Sequence, residues 1–225
     1  MQVLYFSQEI LINCYNYNWL EPNRANKGEQ LSQELENKLC NYPFLQKYCK
    51  QVKDSLSRKR FDHVLRVTDL ASQIAANNDF SQEEYEASIL AAFLHDIARE
   101  LSKEDMFLIA EPEIKAEEEH FMMLHGKAAR KLAQTWGVDN LDVLESIEGH
   151  VLGVYPSNKI GMAVYVADVS EPGRGVNDEI RELALLDLCA AYRQAINVKI
   201  SYLQSKSKAI HPHTLKIYKE ICDFK

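Results

Sequence analysis

The sequence has little in it that bends or staples a chain. Eight Gly and six Pro are scattered over 225 residues, and 46% of the residues are hydrophobic. That composition argues against a disordered or linker-like chain. Long apolar runs are missing: the stretch Ile89–Leu94 falls far short of the roughly 20 residues a membrane-crossing helix needs. Positive charge is not in excess. Lys and Arg number 26 against 33 Asp and Glu, a formal charge of −7, which argues against a protein that grips nucleic acid through a broad basic surface. A local cationic pocket for a small phosphorylated ligand is still allowed. Nor is there a Cys-x-x-Cys pair. The five Cys, at positions 14, 40, 49, 189 and 222, are odd in number, which predicts reduced and buried thiols rather than staples. The first residues, Met1 to Glu9, lack the basic start and long apolar core of a secretory signal. A cytoplasmic chain of one large domain, or one domain with an appendage, is the expectation.

What is present is helical periodicity. From Phe61 to Ala76 the apolar residues Val64, Val67, Leu70, Ala71 and Ile74 recur at intervals of three and four, the spacing of one helix face. Ser81 with Glu84 reads as a capping box opening a helix that runs to about Ile97. Ser102 with Asp105 reads as the start of a short helix broken near Pro112. Further helices are predicted over 122–136, 140–150, 157–169, 176–204 and 212–223. Strand signals are weak, so the fold class is all-α. Residues 1–45 read as an N-terminal extension, aromatic and turn-prone at Tyr15–Trp19 with a polar helix at 29–40, and residues 46–225 as the main domain. The run Glu117-Glu118-Glu119 reads as a solvated helix face.

Chemistry concentrates in few places. His95-Asp96 interrupts the apolar run that ends in Phe93-Leu94. A buried ionised Asp is costly without a partner, and a metal cation resolves this by compensating the carboxylate and taking the imidazole lone pair. His63 shares a helix face with Val67, Leu70 and Ile74, so it should point inward. Asp168 closes another apolar run, Val164 to Ala167. Singly, an inward His reads as a satisfied core residue and a buried Asp as a cap or ion pair. Together on three apolar helices they fit the way helix bundles assemble metal sites.

The order His63, then His95-Asp96, then Asp168 resembles the signature of the HD-domain metal-dependent phosphohydrolases. Two more histidines, His125 in Leu124–Ala129 and His150 in Ile147–Gly153, fit a narrower branch, the bacterial YqeK-type proteins that hydrolyse diadenosine tetraphosphate symmetrically. The resemblance also takes in Arg60-x-x-His63, the stretch Tyr165 to Arg174 including Glu171-Pro172, and Ile210-His211-Pro212-x-Thr214-Leu215. It covers roughly residues 48–222. Val151 stands where the family usually has Thr, and Arg99 where a Lys commonly follows the His-Asp pair.

The resemblance implies an HD-type helical bundle and a site of four imidazoles and two carboxylates, too many for one tetrahedral ion. It suits two divalent ions, iron first, with manganese or another transition metal as the alternative. His63, His95, Asp96 and Asp168 would hold one ion, and Asp96 would bridge to a second held by His125 and His150. The expected reaction is in-line attack of a metal-bridging hydroxide on the tetraphosphate with ADP leaving. Asp96 and Arg99 are the expected catalytic residues. Arg60, Arg99 and Arg174 are candidate phosphate clamps, since guanidinium forks match phosphate oxygens. Lys127 is a fainter candidate, while His211 and Thr214 join the substrate-binding set through the resemblance alone. The partner is a dinucleoside polyphosphate or another nucleotide, with neither nucleic acid nor membrane, and aromatics in the extension offer a surface for a homodimer. Alternatives are an HD hydrolase of another nucleotide, a di-iron oxygenase built on the same ligands, and a non-catalytic nucleotide sensor.

Overall fold

A computed structural model describes residues 22–223. Residues 1–21, which include Tyr15–Trp19 and Cys14, lie outside the described part. The expected all-α class holds: twelve α-helices and two short 3-10 turns follow one another, with no strand among the described residues. The centre is α4 (Gln82–Leu94) and α9 (Lys159–Ser170), which pack on each other. Every residue of α9 from Ile160 to Ala167 is buried, as expected for a helix that is apolar all round. Against this pair lie α3 (Arg58–Asn77) and α8 (Leu141–Gly149), and α7 (His125–Thr135) covers α8. Three further helices close the far side: α10 (Asp178–Ala184) and α11 (Leu188–Ser205) rest on α9, and α12 (Pro212–Asp223) rests on α11. The connecting helices α5 (Lys103–Ile109) and α6 (Lys115–Glu119) bring the chain round to a 3-10 turn, Phe121–Leu124, ahead of α7.

Side-chain caps open six of the α-helices. Ser81 and Glu84 form the reciprocal capping box that opens α4, and Ser102 accepts from the Asp105 N–H at the start of α5. The predicted helix over 176–204 is two. The chain breaks after α10, and the Asp187 side chain restarts it by accepting from the Ala190 N–H. The helix predicted to reach Ile97 stops at Leu94, because His95 turns its ring onto the Ala92 carbonyl. Glu117 also departs from expectation. It is 6% exposed, accepting from the Glu113 N–H and pairing with His211, while Glu118 and Glu119 face solvent.

The first two helices join the same core. α1 (Pro22–Cys40) packs on α3, and α2 (Pro43–Ser55) lies against α4 with Leu45, Tyr48 and Val52 buried. Residue 45, the expected domain boundary, lies within α2. The cysteine expectation needs correction. Cys40 and Cys49 form a disulfide with Cα atoms 5.9 Å apart, because a two-residue turn folds α2 back beside the end of α1. Cys189 and Cys222 are free but exposed. Among the described residues no helix is long and apolar enough to cross a membrane.

Candidate metal centre

Five helices deliver six side chains to one point. His63 lies on the inner face of α3, His95 caps the C-terminal end of α4 with Asp96 next to it, His125 opens α7, His150 caps the end of α8, and Asp168 sits in the last turn of α9. Asp96 is at the centre. Its Oδ2 is 3.6 Å from His95 Nε2 and 3.8 Å from His63 Nε2, while Oδ1 is 3.4 Å from His125 Nε2 and 3.6 Å from His150 Nε2. Asp168 Oδ1 lies on the first side only, 3.0 Å from His63 Nε2 and 3.9 Å from His95 Nε2.

The outward nitrogens are all engaged. His95, His125 and His150 each give Nδ1–H to the carbonyl three residues earlier, on Ala92, Met122 and Ile147. His63 gives its Nδ1–H to Glu171, at 3.0 Å from Oε1. With every Nδ1 donating, the Nε2 atoms turn inward, the orientation a metal needs, and His63 Nε2 meets Asp168 Oδ1 at 3.0 Å. Two observations test the fit. His95 Nε2 is buried with no hydrogen-bond partner among the described residues. His125 and His150 bring their Nε2 atoms within 2.9 Å of each other, an arrangement that requires a proton or a cation at that place. The donor set therefore suits metal, with imidazoles and carboxylates arranged in groups such as His63, His95 and Asp168, or His95, Asp96 and His150, whose ligand atoms lie within 4.8 Å of one another.

The electrostatics agree with that fit. Burial pushes the His95 imidazole down to about 4 and lowers His125 as well, so both rings are neutral, lone-pair donors at neutral pH. Burial works to raise the carboxyls of Asp96 and Asp168, but neighbouring histidines and, for Asp168, Arg174 outweigh it and hold both well below the usual carboxylate range. His63 goes the other way: burial would lower it, yet hydrogen bonds to Asp168 and Glu171 raise it.

The three arginines all reach this region, in different ways. Arg60 Nη1 is 2.9 Å from Asp96 Oδ2. Arg174 folds back onto Asp168, donating to both its carboxylate and its carbonyl. Arg99 is half-buried, close enough for its charge to lower His125, and its side chain has no hydrogen-bond or ion-pair partner among the described residues. Lys127 is occupied by Glu113 and the Glu111 carbonyl. His211 pairs with Glu117 and borders a cavity of about 500 Å³ between α7, α8 and the start of α12. Thr214 is 1% exposed and donates its hydroxyl to the Leu152 carbonyl.

Sequence reasoning gave no role to Glu171 or Arg66. Glu171 accepts from His63 and, through a two-pronged contact, from Arg66. These bonds outweigh its burial and hold its carboxyl at about 2. The signal was available: Arg66 follows His63 by three residues, one helical turn on along the same face, and Glu171 follows Asp168 by three, just past the end of α9.

Comparison with known proteins places these features in a family context. The family model for the HD domain matches residues 60–191. The symmetrical bis(5'-nucleosyl)-tetraphosphatase of Bacillus subtilis is 32% identical over 174 residues, covering 74% of this chain and 91% of that protein. The protein of the same name from Halalkalibacterium halodurans is 28% identical over 177 residues, covering 76% and 92%. In three dimensions, the crystal structure of a "predicted HD superfamily hydrolase involved in NAD metabolism" from Clostridium acetobutylicum superposes with a TM-score of 0.70 at 27% identity, over 86% of this chain and 97% of that one.

Proposed function

The chain belongs to the HD domain family, and on that footing we propose that it is a metal-dependent hydrolase cleaving diadenosine tetraphosphate symmetrically into two ADP. The observation that carries the reading is the convergence of four Nε2 atoms on the two oxygens of Asp96, in a chain similar along most of its length to symmetrical tetraphosphatases. In this proposal His63, His95, Asp168 and Asp96 would hold one divalent ion, and His125 and His150, with Asp96 shared, would hold a second. Iron is the proposed metal, since mixed imidazole and carboxylate donors with open positions suit it. Such ions, when bound, supply a lowered pKa for water and neutralise charge on phosphate oxygens.

The chain's own residues do the rest. Asp96, kept ionised, presents one oxygen to each pair of histidines, and Asp168, also ionised, adds an acceptor on the His63–His95 side. Glu171 holds the Nδ1 proton of His63 in place, so that its Nε2 faces inward. Arg60 and Arg174 neutralise Asp96 and Asp168 at the rim, which lets a polyanion approach. Arg99, whose guanidinium has no hydrogen-bond or ion-pair partner among the described residues, is the proposed phosphate clamp. This cationic rim favours phosphate chemistry over the oxygenase alternative.

The test is product analysis on metal-loaded protein given diadenosine tetraphosphate. ADP as sole product, lost in His95→Ala together with bound metal, is the expected result. AMP with ATP would mean a different bond is broken, and full turnover in His95→Ala would remove the site.

A further inference from the structure

Beyond the ligands themselves, the four residues that follow His150 have an unusual set of partners. The segment Val151–Val154 belongs to no helix, yet each of its carbonyls receives a side-chain donor from α11 or α12. Lys199 Nζ donates to Val151. Thr214 Oγ1 donates to Leu152 at 2.8 Å, and His213 Nε2 to Gly153 at 3.1 Å. Tyr192 Oη donates to the Val154 carbonyl and accepts from the Val154 N–H, both at 2.7 Å. The backbone adds one bond of its own, from the Gly153 N–H to the Gly149 carbonyl at 2.7 Å.

This loop is buried or half-buried, so its carbonyls need partners. Extended neighbours or a longer helix would supply them locally. Here they come from residues 38 to 62 positions further along the chain. Val154 is also wedged: a Cβ placed on Gly149 would overlap its Cγ1, and one placed on Gly161 of α9 would come within 2.7 Å. The consequence bears on His150. It is the C-terminal cap of α8, and the chain beyond it is fixed only as firmly as this loop is.

We propose that α11 and α12 clamp the loop Val151–Val154 in order to hold His150 in place for the second ion, with Lys199, Tyr192, His213 and Thr214 as positioning residues. The proposal rests on the reading of His150 as a metal ligand. It also gives the segment His211–Leu215 a role that contact with substrate does not: His211 accepts from the His213 N–H and pairs with Glu117, fixing the start of α12, from which His213 and Thr214 reach the loop. The asymmetry is specific, because His63, His95 and Asp168 lie on the other side of Asp96 and their side-chain hydrogen bonds run to Glu171, Ala92, Arg174 and one another rather than to this loop.

The experiment titrates the full-length protein with Mn²⁺ alone, following each binding step, with helix content monitored by circular dichroism. The double variant Thr214→Val with Tyr192→Phe removes two donors while keeping shape. With helix content unchanged, it should bind one ion as wild type does and the other at least about tenfold more weakly, the scale of outer-shell effects on metal affinity. Thr214→Ser, which keeps the hydroxyl, should bind both normally. Equal weakening of both ions would mean general loosening and overturn the clamp, as would two unchanged binding steps. Should the double variant fail to fold, Tyr192→Phe alone carries the same comparison. A wild-type protein that binds no ion would overturn the functional reading, and the clamp with it.

Discussion

At the scale of single residues, the decisive feature is what each imidazole does with its outer nitrogen. Three rings give Nδ1–H to a backbone carbonyl one turn back, and the fourth gives it to Glu171. None of these choices depends on a ligand being present, so the inward orientation of the four Nε2 atoms is set by the fold. Arg99 differs from its neighbours Arg60 and Arg174, because no carboxylate among the described residues pairs with it. Arg99→Ala should therefore raise KM for diadenosine tetraphosphate by about tenfold, the cost of a lost charge-assisted hydrogen bond, while kcat stays within a few-fold. Steady-state kinetics on the metal-loaded variant checks this, and an unchanged KM would strike Arg99 from the clamp. The inward direction of His63 was legible, because it shares a stripe with Val67, Leu70 and Ile74. So was the cost of burying Asp96. That Asp96 would stand between two pairs of histidines was not derivable from spacing, since His125 and His150 lie on helices whose packing no local pattern specifies.

At the scale of elements, the ligands sit where helices end or begin. His95 and His150 are C-terminal caps, and His125 opens its helix. Capping residues were the most legible part of the fold: Ser81 and Ser102 both mark true starts. Endings were harder. The break between α10 and α11 carries no Pro or Gly, and its cause is one side chain, Asp187, competing for a backbone N–H. The approach of the loop to α8 depends on Gly149, where any side chain meets Val154. Gly149→Ala should cost about 1–3 kcal/mol, the usual penalty of overpacking, read as a lower urea midpoint with unchanged slope. A variant as stable as wild type would mean that the loop yields easily, contrary to its dense bonding.

At the scale of the whole molecule, the N-terminal helices are tied in by both packing and covalent chemistry. Leu39 and Leu45 are fully buried in the common core, and Cys40–Cys49 closes a short loop between them. Reducing that bond should lower stability by about 2–3 kcal/mol, the chain-entropy value for a loop of this length. Metal content should not change, because α1 and α2 contribute no ligand. Calorimetry with and without reductant measures the first, and metal analysis the second. The six candidate ligands, by contrast, span residues 63 to 168 and five separate helices. Ions shared among them bind only the folded chain and shift the balance toward it by mass action. The opening of any one helix then has to wait for ion release. Metal supply would thus govern how long each copy of the protein survives against proteases as well as whether it turns over substrate, and a metal-starved cell would hold fewer copies rather than a reserve of idle ones.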